Sequence, residues 1–255
     1  MTVAGEKKPR IAFLDELRGL CVLLMVAYHG LYTLGYYLDL EVCRKLFRFF
    51  TPVEPLFAGI FIFLCGLSCT LSHNNWKRGS LLAIVAAGVS LVMNIGFPDD
   101  PIWFGVLHLL ATCILLYALA RPLLERVPGW AGLMVCAVLL LLCWNLPVQR
   151  GAGFFGIEGV WEVPVPREVM AHKWLFPLGL GRISGSQGDY FPLLPWIFCF
   201  LGGSFAGRYL HRLPKVLHRS HVKPLSFLGR HALIIYIVHQ PVIYGIGMGL
   251  SYLLG

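Results

Sequence analysis

Charged side chains are scarce in this sequence. Only 13% of its 255 residues are Asp, Glu, Lys or Arg, whereas 57% are hydrophobic. Soluble domains carry about twice that charged fraction. The composition therefore excludes a soluble globular domain with one membrane anchor. It predicts a polytopic membrane protein, and we expect a multi-pass integral protein of the cell membrane.

Several features that would change this interpretation are missing. No small-residue cleavage site follows the first apolar run, which is also too long and too charged at its start for a signal peptide, so we expect it to be retained. No repeat or low-complexity tract divides the chain, and we predict a single transmembrane domain over residues 1–255. Seven of the eight cysteines lie within apolar runs, where Cys behaves as a small hydrophobe, so we expect no disulfide framework.

Seven apolar runs have lengths near the ~20 residues that a helix needs to cross a bilayer. They cover residues 14–36, 55–73, 80–97, 103–120, 130–147, 191–210 and 227–252. We therefore predict an all-α fold, a polytopic membrane helix bundle with about seven transmembrane helices.

The basic residues fall unevenly between these runs. With the N-terminus on the cytoplasmic side, 14 of the 21 Lys and Arg residues lie inside. The positive-inside rule then predicts an N-in/C-out orientation. Anionic lipid explains the net charge of +8 without a nucleic-acid partner. The inner basic segment 208–223 either contacts lipid headgroups or attracts a phosphate-rich cytosolic donor.

The first apolar run, FLDELRGLCVLLMVAYH, carries ionisable residues where a membrane helix normally has none. Arg18 and His29 are eleven residues apart, so on a helix they share nearly one face, roughly 16 Å apart along the axis. Asp15 precedes Arg18 by three residues and joins the same face. Ionisable groups within a span are costly and mark functional sites. His29 is therefore a candidate for chemistry, and Arg18 and Asp15 are candidates for binding.

Two further histidines, His108 and His239, lie within predicted spans. For each of them, a structural contact between helices is an alternative to a functional role. A heme would need two axial histidines on facing helices, and zinc would need three or four converging ligands. The histidines come from distant spans without an evident carboxylate partner, so no metal site is predicted.

The longest segment between apolar runs, residues 148–190, carries Trp161, Trp174 and Tyr190 and leads through Asp189 into the sixth run. Long ordered loops often belong to a functional site. Asp189 either binds a polar substrate, orients a histidine, or is a solvated acid that a helix dipole favours.

Five stretches resemble, in the same order, motifs of the heparan-α-glucosaminide N-acetyltransferase family. They are RIAFLDELRGLCVLLMVAYHG, GIFIFLCGLS, WFGVLHLLA, DYFPLLPW and FLGRHALIIYIVHQPVI. The resemblance covers essentially the whole chain. It implies an integral membrane acyltransferase that moves an acetyl group from cytosolic acetyl-CoA to a sugar or glycan on the outer face.

The resemblance also implies that Arg18 holds the CoA end of the donor and that His29 acts at the acyl-transfer centre. In lysosomal members the position matching His29 is an Asn, and the catalytic His follows shortly afterwards. Residues 37–54 contain no His, so either His29 takes that role here or the role has moved or been lost. Our predicted residues are, for catalysis, His29, Asp189 and His239 and, for acetyl-CoA binding, Arg18, Asp15 and His108.

The residues alone are also compatible with a second class of function. The same polar helix face could line the path of a small transporter or channel. Transporters more often show internal repeats, which this sequence lacks. For the enzyme, the expected partners are acetyl-CoA, a sugar or glycan acceptor and the lipid bilayer, with a homodimer as one candidate assembly.

Overall fold

The structure is a computed structural model that describes residues 11–36, 38–96, 101–147, 153–182 and 189–254. Nearly all regular structure in these ranges is helical, which confirms the all-α prediction. The α-helices are Ala12–Tyr36 (α1), Glu41–Phe50 (α2), Glu54–Cys69 (α3), Asn75–Gly96 (α4), Val106–Leu124 (α5), Gly129–Leu142 (α6), Arg167–Ala171 (α7), Leu193–Ala206 (α8), Lys223–Arg230 (α9) and Ala232–Leu254 (α10). Short 3-10 helices occur at Thr51–Val53, Lys173–Leu178, Gly207–Arg212 and Lys215–His218.

Within the residues that the structure describes, six helical segments are long and apolar enough to cross a bilayer. They are Ala12–Tyr36, Glu41–Cys69, Asn75–Gly96, Val106–Leu124, Leu193–Arg212 and Ala232–Leu250. These coincide with six of the predicted runs. The remaining run, 130–147, corresponds to the shorter apolar helix α6, which has 14 residues. The multi-pass architecture is therefore confirmed, whereas the count of seven spans and the N-in/C-out orientation stay predictions.

The last predicted run, 227–252, is divided in the structure. Helix α9 ends at Arg230, the backbone of His231 is non-helical, and α10 begins at Ala232. Helix α10 then continues through Pro241, which membrane helices tolerate. The break separates a short helix, α9, that packs along α1.

A β-hairpin lies within the segment 148–190, which the sequence analysis left without strands. Strand β1 (Phe154–Ile157) pairs antiparallel with strand β2 (Trp161–Pro164). Gly159, in the three-residue turn between them, has a φ of 75°, a left-handed conformation that glycine adopts without steric cost. The aromatic and β-branched residues of FFGIEGVWEVP carried this signal.

The described part of the chain forms two compact units. The first comprises the residues up to Phe61 and those from Arg212 onward, and the second spans residues 62–211. In the first unit, α1 packs against α9, α2 and α10. In the second unit, α4 packs against α5, and α8 packs against α6 and α5. A single domain over the whole chain stays a prediction.

Each unit contains a close helix crossing built on glycine. In the first unit, a Cβ atom added to Gly19 of α1 would lie 2.0 Å from the carbonyl oxygen of Leu225, and one added to Gly229 of α9 would lie 1.8 Å from that of Asp15. In the second unit, Gly66 of α3 and Gly203 of α8 face backbone carbonyls at 1.9 and 2.0 Å in the same way. Small residues let membrane helices approach this closely.

We predict that Gly229→Ala destabilises the first unit by about 1–3 kcal/mol or more, because the added methyl meets a backbone carbonyl that cannot rotate away. The measurement is the apparent Tm of the purified protein in detergent. Gly30→Ala, also on α1, is the matched control, since its added Cβ meets nothing within 4 Å. Equal Tm values for the two variants would contradict the crossing described above.

Candidate active site

The predicted site residues fall into two groups, one in each unit. The first unit holds Asp15, Arg18, His29 and His239, and the second holds His108 and Asp189. Among the described residues, no group of three or more His, Cys, Asp or Glu side chains could hold a metal ion. Each group is assembled by the helices of its own unit.

Two histidines from different helices form the centre of the polar group of the first unit, by which we mean its predicted site residues and the side chains that contact them. His29 lies on α1 and His239 on α10, and their ring centroids are 5.1 Å apart. The side-chain amide of the next residue, Gln240, places its Nε2 3.1 Å from His29 Nδ1, where the amide N–H donates to the ring nitrogen. The structure thus brings two predicted catalytic residues together, and their catalytic roles stay predictions.

The hydrogen bond of His239 fixes which of its ring nitrogens carries the proton. His239 is buried, and its Nδ1 lies 2.5 Å from the backbone carbonyl oxygen of Tyr236. A carbonyl oxygen can only accept, so the Nδ1–H of His239 must be the donor. In the neutral ring the lone pair is then on Nε2, the arrangement that a general base requires.

Asp15 and Arg18, which the sequence placed on one helix face, form an ion pair. Arg18 Nη1 lies 3.0 Å from Asp15 Oδ1, one turn apart on α1. Asp15 is buried, whereas the Arg18 side chain keeps 21% of its surface exposed. Because α1 is continuous from Ala12 to Tyr36, Arg18 and His29 share one helix, roughly 16 Å apart along its axis. A partly exposed cation therefore lies near one end of the helix that carries His29.

Glu16 is a buried carboxylate to which the sequence analysis gave no role. Its Oε1 accepts the backbone N–H groups of His221 at 2.6 Å and Val222 at 2.8 Å, and the hydroxyl of Ser220 at 2.8 Å. These groups immediately precede α9, where unpaired N–H groups and the helix dipole favour a carboxylate. Glu16 thus ties the start of α9 to α1. No signal in the sequence indicated this role for Glu16, because the role exists only once α9 has docked.

The docking of α9 gathers basic residues near the Arg18 end of α1. Helix α9 begins at Lys223, next to the segment that Glu16 holds, and ends at Arg230, next to the Gly229 contact with Asp15. Lys223 and Arg230 are both exposed. This end of the first unit therefore presents several cations to solvent.

In the second unit, His108 of α5 contacts Ser90 of α4. His108 Nε2 lies 3.3 Å from Ser90 Oγ, and the Ser90 hydroxyl donates to the carbonyl oxygen of Ile102 at 2.5 Å. Since that hydroxyl has one hydrogen, His108 Nε2–H is the donor to Ser90. The lone pair of His108 is then on Nδ1, which is buried and has no hydrogen-bond partner among the described residues. This nitrogen is a hydrogen-bond acceptor that the described residues leave unused.

Asp189 caps the helix that carries His108. Its Oδ2 accepts the backbone N–H of Val106, the first residue of α5, at 3.1 Å. One of the alternatives for Asp189 was an acid placed at the start of a helix. In the structure its carboxylate lies at the start of α5. Its predicted catalytic role remains a prediction.

The aromatic residues of the segment 148–190 differ in exposure. The Tyr190 hydroxyl donates to the carbonyl oxygen of Phe176 at 2.7 Å, and its ring stacks on that of Phe176 with centroids 6.2 Å apart. Trp161 and Trp174 are exposed. The described part of this segment therefore presents two accessible indole rings.

Comparison with known proteins identifies one family. The family model described as "Heparan-alpha-glucosaminide N-acetyltransferase, catalytic" matches residues 10–241, most of the chain. The match includes both polar groups described above and confirms the resemblance found in the sequence. No curated protein and no solved structure gives a significant match.

We predict that Glu16→Ala accelerates backbone hydrogen exchange at His221 and Val222, because both N–H groups lose their charged acceptor. An increase of roughly tenfold or more is expected by mass spectrometry of the detergent-solubilised protein. Glu125→Ala is the control, since Glu125 forms an exposed ion pair with Arg121. Unchanged exchange at both amides would show that Glu16 does not hold this segment.

Proposed function

Because the chain belongs to the heparan-alpha-glucosaminide N-acetyltransferase catalytic family, we propose that it transfers an acetyl group from cytosolic acetyl-CoA to a sugar or glycan acceptor on the outer face of the cell membrane. Family membership itself indicates a membrane acyltransferase. The observation that carries the finer proposal is the group formed by His29, His239 and Gln240 between helices α1 and α10.

Acyl transfer from a thioester has two chemical requirements that this group can meet. A base must remove the proton of the acceptor hydroxyl or amine as it attacks, and neutral imidazole serves near pH 7. Hydrogen-bond donors must stabilise the negative charge that develops on the carbonyl oxygen. Two imidazoles and an amide within membrane-spanning helices supply both kinds of group, in surroundings where hydrogen bonds are stronger than in water.

The basic end of the first unit supports binding of the donor. CoA carries phosphate groups, which Arg binds through its planar fork and Lys binds as a point charge. Arg18, Lys223 and Arg230 lie at this end, so we propose that they hold the phosphates. The long flexible arm of CoA would then extend along α1 toward His29.

The second unit holds groups of the kinds that bind amides and sugars, and we propose roles for them in substrate binding. The Nδ1 lone pair of His108 suits an amide N–H of the CoA arm, in keeping with a role for His108 in donor binding. Sugars bind to polar groups and aromatic faces together. We propose that Asp189, Trp161 and Trp174 provide these for the acceptor.

The family match favours the enzyme over the transporter or channel that the sequence left open. Turnover by the purified protein separates the two functions. An acyltransferase consumes acetyl-CoA and releases free CoA thiol in the presence of a sugar acceptor, whereas a transporter leaves acetyl-CoA intact. A folded protein that releases no CoA thiol with any amino sugar or glycan tested would contradict the proposal.

We predict that His29→Ala lowers acetyl-CoA turnover by about 100-fold or more, because the acyl-transfer centre loses one of its two imidazoles. The variant should still insert in the membrane and purify as a single species. His231→Ala is the control: His231 is exposed and lies outside the polar group, so its loss should leave turnover unchanged. Full activity of His29→Ala would overturn the assignment.

We predict that Arg18→Ala raises the KM for acetyl-CoA by roughly tenfold, with a smaller effect on kcat, because the lost cation contacts the phosphates and not the reacting carbonyl. The measurement is a titration of initial rates against acetyl-CoA. Arg48→Ala, an exposed Arg of α2, is the matched control. A KM equal to that of the wild type would exclude Arg18 from donor binding.

A further inference from the structure

The two histidines of the first unit have hydrogen-bond partners of opposite kind. On His239, a backbone carbonyl oxygen faces Nδ1. On His29, the amide nitrogen of Gln240 faces Nδ1. We infer that the rings are held in opposite tautomers, so that His239 is the general base of acyl transfer, His29 donates a hydrogen bond to the thioester carbonyl, and Gln240 is the positioning residue for His29. This inference rests on the proposed acyltransferase function.

The role of His239 follows from the carbonyl oxygen of Tyr236. That oxygen requires a proton on His239 Nδ1, which leaves the lone pair on Nε2. The bond joins residues three apart on α10, so the helix itself sets the orientation of the ring. His239 is buried in a membrane-spanning helix. Its backbone hydrogen bond determines the tautomer of the ring, in which Nε2 is the basic nitrogen.

The role of His29 follows from the amide of Gln240. An amide N–H can only donate, so at 3.1 Å it requires the lone pair of His29 on Nδ1 and the proton on Nε2. A neutral imidazole in this state is a donor with no basic nitrogen left for the acceptor. The other end of the amide, Gln240 Oε1, is buried and has no hydrogen-bond partner among the described residues. We assign this oxygen to an O–H or N–H of the acceptor other than the one whose proton moves to His239.

These tautomers define one sequence of bond changes. The acceptor oxygen or nitrogen attacks the carbonyl carbon of acetyl-CoA while its proton moves to His239 Nε2. The carbonyl oxygen becomes negative and receives the hydrogen bond from His29 Nε2–H. The intermediate then collapses with loss of the CoA sulfur, which takes the proton back from His239. The products are the acetylated acceptor and CoA thiol, and both histidines return to their starting states.

The same tautomers argue against an acetyl-histidine intermediate at position 29. Attack on the thioester requires a lone pair, and the only lone pair of His29 is on Nδ1, where it accepts the Gln240 hydrogen bond. No acetyl group is therefore carried on His29, and with His239 acting as the base, as inferred above, the acetyl group passes directly from sulfur to the acceptor. The sequence alone did not distinguish these two routes.

The first experiment reads the tautomers without any substrate. Protein labelled with ¹⁵N only in histidine is reconstituted in lipid nanodiscs, and signals are assigned by their loss in His29→Gln and His239→Gln. We expect a protonated Nε2 for His29 and a protonated Nδ1 for His239. In Gln240→Met, which has a similar length but no amide, His29 should populate both tautomers while His239 is unchanged. Protonation of His29 on Nδ1 in the wild type would overturn the inference.

The second experiment makes one substitution at both positions and measures turnover of acetyl-CoA. Gln offers an N–H donor near the place of Nε2 but no basic nitrogen. His29→Gln should therefore retain at least roughly tenfold more kcat than His29→Ala, whereas His239→Gln should lose activity by about 100-fold or more, as loss of a general base does. His231→Gln, an exposed histidine outside the group, should match the wild type.

The two experiments separate failure of the inference from failure of the proposed function. If the wild type shows the expected tautomers but no turnover, the acyltransferase proposal fails and the geometry stands. If the wild type turns over acetyl-CoA but His29→Gln is as inactive as His29→Ala, or His239→Gln is as active as His29→Gln, the division of roles is wrong. Apparent Tm and monodispersity of each variant show whether lost activity reflects lost folding.

Discussion

The free-energy cost of placing a polar group within a membrane-spanning helix is the main constraint on the structure of this protein. Such a group must find its partner inside the protein, because lipid offers none. Asp15 meets this requirement with Arg18, Glu16 with the N–H groups before α9, and His239 with the carbonyl oxygen of Tyr236. The same partners that make each group tolerable also fix its position. The polar groups of α1 and α10 are therefore oriented before any substrate arrives, which is what electrostatic catalysis requires.

Close helix contact makes these partnerships possible. Helix α9 reaches α1 only because Gly19 and Gly229 leave room for backbone against backbone. That contact sets the distance at which Glu16 meets His221 and Val222. It also keeps the basic residues of α9 near Arg18. Two glycines and one carboxylate thus connect the packing of the first unit to its proposed donor site.

The features that depend on composition and local spacing could be predicted from the sequence. Apolar runs located the six helices of spanning length among the described residues, and the three-residue spacing of Asp15 and Arg18 placed both on one helix face. Five motifs in order indicated the family. The features that depend on which helices meet could not. Glu16 gained its role only through α9, and Gln240 only through its approach to His29, although its place beside His239 in an apolar helix was a usable signal. The division of the last run at His231 could not be predicted, because histidine is not a residue that normally breaks a helix.

We propose that the protein transfers an acetyl group from CoA on one side of a membrane to a sugar on the other. The most direct test of this proposal uses the purified protein in sealed liposomes, with labelled acetyl-CoA supplied outside and an amino sugar or glycan acceptor enclosed within. We predict labelled, acetylated sugar inside the liposomes and free CoA thiol outside, with neither formed when protein is omitted. Folded protein that yields no acetylated sugar, with acetyl-CoA supplied on either side, would contradict it.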